Sequence, residues 1–282
     1  MNPIISAVTV LGGTGIISAA LLYIVARKFK VKEDPRIDDV EKMLPGANCG
    51  GCGFSGCRDF ATNCVNSGSL EGKRCPVGGD AAMNAIGEYL GLKAEAGKPK
   101  VAVLKCNGSC MVRKHTSHYD GPRSCAIERI IYAGETDCAY GCLGCGDCVN
   151  ACMFDAIKLD EETGIPTFDD EKCTACGACV EACPGNIIEL RYKGPKNRRV
   201  YVACSNHDKG AEAMKECKAA CIGCGKCAKA CPFDAITITD NLAYIDDEKC
   251  RLCRKCVDAC PVHCIKAVNF PEKPAVKEEV TC

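Results

Sequence analysis

The chain has 282 residues and 29 cysteines, a cysteine content several-fold above ordinary usage. Lys and Arg together number 36, and so do Asp and Glu; without a basic excess there is no electrostatic footprint for nucleic acid, which is excluded as a partner. Hydrophobic residues make up 47 % with cysteine counted among them, but roughly 37 % without it, low for a fold held together by apolar burial alone.

Ile4 to Ala26 runs for 23 residues without a formal charge. As a helix it would extend about 34 Å, against a hydrocarbon layer of about 30 Å. Nothing basic precedes it, as a cleaved signal peptide would require; Arg27, Lys28, Lys30 and Lys32 follow it. The expectation is a transmembrane anchor over residues 1–30, the single pass of a protein of the cytoplasmic (inner) membrane, with everything after Arg27 on the cytoplasmic side. Gly15 and Ala19 form a small-x3-small pattern that lets another helix pack closely.

Residues 31–97 form a small domain. Cys49, Cys52, Cys57 and Cys75 read C-x2-C-x4-C-x17-C, and the first three lie on a glycine-rich loop. Four thiolates so placed predict a [4Fe–4S] site. Cys64, seven residues after Cys57 and near Phe60, reads as a packed core thiol. Asp80 to Leu92 has the pattern of a capped amphipathic helix with Met83, Ile86 and Leu90 on one face. In the connecting segment 98–138, Val101–Leu104 reads as a strand. Cys106, Cys110, Cys125 and Cys138 follow it as candidate ligands of a sixth site, although no recognised spacing supports that grouping.

Module 1 (139–191) and module 2 (219–268) carry the densest pattern. Cys142, Cys145, Cys148 and Cys152 read C-x2-C-x2-C-x3-C. So do Cys173, Cys176, Cys179 and Cys183, then Cys221, Cys224, Cys227 and Cys231, and finally Cys250, Cys253, Cys256 and Cys260. Disulfide frameworks belong to secreted chains with looser spacing, and zinc sites pair two CxxC units a dozen or more residues apart. The observed run, with Pro184, Pro232 and Pro261 after three of the fourth cysteines and Met153 after the other, is that of two-cluster bacterial ferredoxins. There the fourth cysteine of each run ligates the other cluster. One cluster therefore takes Cys142, Cys145, Cys148 and Cys183, and its neighbour Cys173, Cys176, Cys179 and Cys152. Module 2 repeats this with Cys221, Cys224, Cys227 and Cys260, and with Cys250, Cys253, Cys256 and Cys231. The fourth cysteine is expected to start a short helix, with proline in its first turn.

The modules are copies. Phe154-Asp155-Ala156-Ile157 recurs as Phe233-Asp234-Ala235-Ile236, and Asp169–Cys173 as Asp246–Cys250, with offsets of 79 and 77 residues at the two cysteine runs. Short strands are expected at Ile157–Leu159, Ile187–Leu190, Ile236–Thr239 and Leu242–Ile245, too few for an ordinary core. Between the modules, residues 192–218 hold a basic Gly/Pro linker, Tyr192 to Arg199, and a strand at Val200–Ala203 that echoes Val101–Leu104. The linker reads as a solvated loop, or more sharply as a docking patch for an acidic partner. The spacing gives no role to Cys204, Cys217, Cys264 or Cys282, the last in the tail 269–282. No phosphate-binding glycine motif and no haem-attachment motif is present.

The uncharged N-terminal run, the NCGGCGFSGC…CPVGG domain and the ferredoxin runs together make the whole chain resemble the B-type, iron–sulfur electron-input subunit of the Rnf complex, the ion-translocating ferredoxin:NAD+ oxidoreductase. The two ferredoxin pairs and the CNGSC insert resemble the longer form of that family. The resemblance implies an α+β chain of one transmembrane helix, a small four-Cys [4Fe–4S] domain and two tandem ferredoxin-like modules. It implies at least five [4Fe–4S] clusters, reduced ferredoxin as electron donor, and other membrane, flavin and iron–sulfur subunits as acceptors. The same redox chemistry would also suit a polyferredoxin of another membrane complex, such as one feeding a hydrogenase.

Overall fold

The computed structural model describes residues 3–28, 34–94, 97–131 and 134–271. Lys30, Lys32 and the tail beyond Pro271, with Cys282, lie outside the described residues. Helix α1 spans Pro3–Lys28. Among the described residues no helix is long and apolar enough to cross a membrane, which corrects the expectation of a transmembrane anchor.

The four-Cys domain is helical. In α2 (Pro35–Met43), Pro35 takes the first helical position and the Asp34 side chain accepts the Arg36 N–H, a conventional N-terminus. Helices α3 (Cys57–Ser67) and α4 (Gly79–Leu90) follow. Val40, Phe60, Cys64, Met83 and Ile86 pack as the core between them. Cys64 is completely buried there, which raises its thiol to about 11. The N-cap of α4 is Gly78, with no capping side chain. Asp80 lies one residue inside the helix and pairs with Arg74 at 3.1 Å instead.

Module 1 is built from β1 (Lys100–Leu104), α5 (Cys125–Ile131), α6 (Asp147–Asn150), β2 (Ile157–Leu159), β3 (Pro166–Phe168), α7 (Ala178–Glu181) and β4 (Ile188–Tyr192). Module 2 repeats it with β5 (Arg199–Val202), α8 (Gly210–Glu216), α9 (Lys226–Ala230), β6 (Ile236–Thr239), β7 (Leu242–Ile245), α10 (Lys255–Ala259) and β8 (Ile265–Val268). Each module has two antiparallel two-stranded sheets: β1 with β4 and β2 with β3, then β5 with β8 and β6 with β7. The strands of the two connecting segments are thus the outer strands of the modules.

The short helices differ from expectation. Each of α6, α7, α9 and α10 carries the third cysteine of its run and ends before the fourth. The proline explains this in module 2. A residue before proline is pushed out of the helical region, and Cys231 and Cys260 are extended, with ψ of 112° at both. Proline therefore ends these helices and does not start new ones.

The linker is a solvated loop only in its middle, where Pro195, Lys196 and Asn197 are exposed; its ends are held. Arg199 is 6 % exposed, and its guanidinium grips both oxygens of Asp170, at 2.6 and 2.7 Å. Lys193 Nζ reaches the Asp170 carbonyl at 2.6 Å, and the Tyr192 N–H donates to Asp247 at 2.9 Å. The linker is therefore anchored to both modules. Removing one partner of a buried ion pair strands the other charge, which costs about 3–5 kcal/mol. Asp170→Ala should accordingly lower the urea midpoint of the anaerobic holoprotein strongly, with Asp170→Asn intermediate. Equal midpoints for wild type and Asp170→Ala would contradict this role of the pair.

Candidate metal centres

The loops that carry the cysteines are shaped by left-handed residues. Gly146 and Gly177, both at φ 88°, immediately precede α6 and α7. There the chain turns sharply, presenting the second cysteine of the run from the loop and the third from the helix. Arg254 holds the corresponding position before α10 at φ 63°.

The structure brings the predicted cysteines together in crossed sets. Cys221, Cys224, Cys227 and Cys260 line one cavity of about 310 Å³. Cys250, Cys253, Cys256 and Cys231 line another of about 310 Å³. In module 1, Cys142, Cys148 and Cys183 line a cavity of about 440 Å³, while the Cys145 thiol beside them donates to Glu128 at 2.9 Å. Cys179 is close enough to Cys173, Cys176 and Cys152 to feel their charge. In the N-terminal domain Cys75 is likewise near Cys52 and Cys57. It accepts the Gly78 N–H at 3.3 Å, and Asn48 ties the loop by accepting the Cys57 N–H at 2.7 Å; Cys49 is half-buried on that loop.

Burial sets the electrostatics. It pushes the thiols of Cys142, Cys179 and Cys256 up to about 12, since removal from water penalises the thiolate. A metal group that accepts thiolates must offset that penalty with its own positive charge. Among the described residues no group of three or more His, Cys, Asp and Glu side chains could hold a single metal ion; tetrahedral zinc would draw its sulfurs to about 3.8 Å from one another. The donor set, four sulfurs around a cavity of fixed size, fits a cubane cluster.

Cysteines that the spacing left without a role also find places. Cys264 lines the same cavity as Cys221 and Cys260, its sulfur 3.6 Å from that of Cys260. Cys125 lies in the Cys142 cavity. Cys110 is exposed and donates to the Glu162 carbonyl at 3.0 Å. Neither joins Cys106 and Cys138. Those two instead share a cavity with Cys204 and Cys217. The sequence did hold a signal for this set: the strands before Cys106 and Cys204 echo each other, and Cys138 and Cys217 each lie four residues before the first cysteine of a module.

The N-terminal domain and module 1 are also in contact. A Cβ on Gly51 would lie 2.8 Å from the Cys176 Cα, so the loops of the Cys49 and Cys173 sites touch at a position that only glycine allows.

Known iron–sulfur families match the same segments. The 4Fe-4S dicluster domain family matches residues 141–187 and 220–264, the 4Fe-4S double cluster binding domain residues 172–234, and a family described as a putative Fe-S cluster residues 44–77. The chain is 45 % identical, over 94 % of its length and 78 % of the relative's, to the B-type subunit of a Na(+)-translocating ferredoxin:NAD(+) oxidoreductase complex from Acetobacterium woodii. It is 39 % identical to the B-type subunit of an ion-translocating oxidoreductase complex from Methanosarcina acetivorans, over 88 % and 92 % of the two chains. It is 38 % identical to the B-type subunit of a proton-translocating ferredoxin:NAD(+) oxidoreductase complex from Clostridium ljungdahlii, over 89 % and 87 %.

Two outcomes follow. Cys260→Ser should abolish the spectroscopic signature of the centre at Cys221, Cys224 and Cys227 and leave that of Cys250, Cys253 and Cys256; loss of the latter alone would refute the crossed arrangement. Gly51→Ala forces the two backbones apart, so electron exchange between the N-terminal domain and module 1 should slow while total iron stays constant. An unchanged rate by freeze-quench spectroscopy would show that the contact is not on the path.

Proposed function

Since the chain belongs to the family of B-type subunits of ion-translocating oxidoreductase complexes, we propose that it takes electrons from reduced ferredoxin and hands them to the other subunits of such a complex. The chain is an iron–sulfur electron-transfer subunit of a redox-driven translocase. The observation that carries the finer reading is the pair of module 2 cavities, each lined by three cysteines of one run and the fourth of the other. Five [4Fe–4S] clusters fit the twenty cysteines so grouped: Cys49/52/57/75, Cys142/145/148/183, Cys173/176/179/152, Cys221/224/227/260 and Cys250/253/256/231.

A bound cluster supplies one-electron exchange at low potential. The chain's own residues determine how well. Thiolates fix each centre by four bonds, so little rearranges when charge moves. Backbone N–H groups aimed at sulfur, such as Gly78 at Cys75, favour the added negative charge. Burial of Cys142, Cys148, Cys227 and Cys256 keeps water away, which strengthens these interactions.

A cleft beside the Cys250 site suits the entry of a partner. Lys98, Lys193, Arg198 and Arg251 line it, with Cys250 in its wall. Four thiolates around a 2+ core leave about −2 at each loaded site, so a basic cleft is a local exception on an acidic molecule. An acidic ferredoxin would be steered there and would find a cluster at the point of contact. Ion translocation requires a membrane barrier, and we place the clusters on its cytoplasmic side, where thiols stay reduced. A polyferredoxin serving a hydrogenase would share the chemistry, but the relatives above favour the translocase.

The test is anaerobic purification followed by reduction with ferredoxin, read by iron and labile-sulfide content and by EPR. Lys98→Glu with Arg251→Glu should slow reduction by about tenfold at low ionic strength and by little at high salt, where screening is complete within a few ångströms. A colourless zinc protein, or purification with a hydrogenase and no flavin subunit, would overturn the reading. A charge-reversed variant reduced at the wild-type rate would remove the cleft from it.

A further inference from the structure

Cys106, Cys138, Cys204 and Cys217 line one cavity of about 300 Å³, nearly the size of the two complete four-cysteine cavities of module 2. All four are buried. They come in equivalent pairs from the two copies. Cys106 and Cys204 each stand two residues beyond the end of a first strand, β1 and β5. Cys138 and Cys217 each stand four residues before the first cysteine of a module. The strands that carry the first pair pack on one another through Val101, Val103, Tyr201 and Ala203, and Ser205 Oγ donates to the Lys105 carbonyl at 2.9 Å. The duplication thus delivers two thiols from each module to the seam between them.

These sulfurs are surrounded by donors. Cys106 accepts the N–H groups of Gly108 and Cys142, at 3.4 and 3.5 Å. Cys204 accepts those of Asn206 and Cys221, at 3.4 and 3.2 Å. The Asn206 side-chain amide points at Cys138 from 3.6 Å. The backbone N–H groups of Tyr140 and Ala219 serve Cys138 and Cys217. So many donors on four sulfurs suit thiolates better than thiols. A second observation is independent of the cysteines. Arg113 lines the same cavity at 6 % exposure, and its Nε and Nη1 have no hydrogen-bond partner among the described residues. A buried guanidinium without a counter-charge calls for an anionic occupant.

We propose that Cys106, Cys138, Cys204 and Cys217 ligate a sixth [4Fe–4S] cluster that joins the two ferredoxin-like modules. Four thiolates around a 2+ core give the negative group that Arg113 faces. The donors show what it connects: Cys142 and Cys221, whose backbones hold Cys106 and Cys204, belong to the nearest sites of modules 1 and 2. The proposal rests on the iron–sulfur reading of those neighbours.

The test uses the full chain, purified without oxygen, with iron, labile sulfide and zinc counted per chain and EPR recorded after reduction. The wild type should hold about 24 irons and as many sulfides. Cys106→Ser and Cys204→Ser, one in each module, should each lose about four of both, and the double variant no more than either, because they serve one site. Cys110→Ser, outside the cavity, should lose none. A full count in Cys204→Ser, a double variant that loses about eight irons, or one zinc per chain that the variant lacks would overturn the proposal. Should both serine variants fail to fold, the wild type still decides: about 20 irons refutes the sixth site, about 24 supports it, and no iron at all would sink the reading of the other five sites as well.

Discussion

A thiol buried in protein is a neutral, inert group unless something compensates the charge of its thiolate, and this molecule buries thiols where other proteins bury leucine. In the core of module 2, seven of the sixteen buried residues are cysteines, so the centre of the fold is made largely of thiols. The two-stranded sheets around it bury too little to hold such a chain together. Metal binding and folding are then one event, and the positions of the sulfurs are structural before they are functional.

That constraint explains the rest of the architecture. Each cysteine loop needs a left-handed turn, which Gly146 and Gly177 supply in module 1 and Arg254 in the last run. The strand pairs β2–β3 and β6–β7 join the first cysteine run of each module to the second. Between the copies, Arg191 is buried against Glu189 at 3.0 Å and over the Tyr244 ring, while Arg199 holds Asp170. These contacts fix one module against the other. Fixed spacing is what electron exchange between centres requires, because each hop depends on separation and on how little the surroundings rearrange.

The sites form a connected series. The N-terminal loop touches the Cys176 loop at Gly51; Cys179 senses Cys148 within module 1; and Cys256 senses Cys227 within module 2. The seam with Cys106 and Cys204 lies between the nearest sites of the two modules. The basic cleft opens beside Cys250, at the module 2 end. A duplicated ferredoxin-like module, a small four-cysteine domain and the seam created by the duplication thus place their cysteine sites in one unbroken row.

The sequence by itself determined the chemistry and most local elements. Cysteine spacing carries its own geometry, since three sulfurs two residues apart can only meet around something held in common, and strands β2, β6 and β7 fall where β-prone residues cluster. The uncharged run from Ile4 to Ala26 is helical as its pattern suggests, but among the described residues no helix is long and apolar enough to cross a membrane. Tertiary structure alone decided what depends on distant segments: that Arg199 folds inward onto Asp170, that Cys264 joins the Cys221 cavity, and that Cys106 and Cys138 find Cys204 and Cys217 instead of Cys110 and Cys125. Those partners are up to about a hundred residues apart, and no local periodicity encodes a contact that forms only when two copies of a module close on each other.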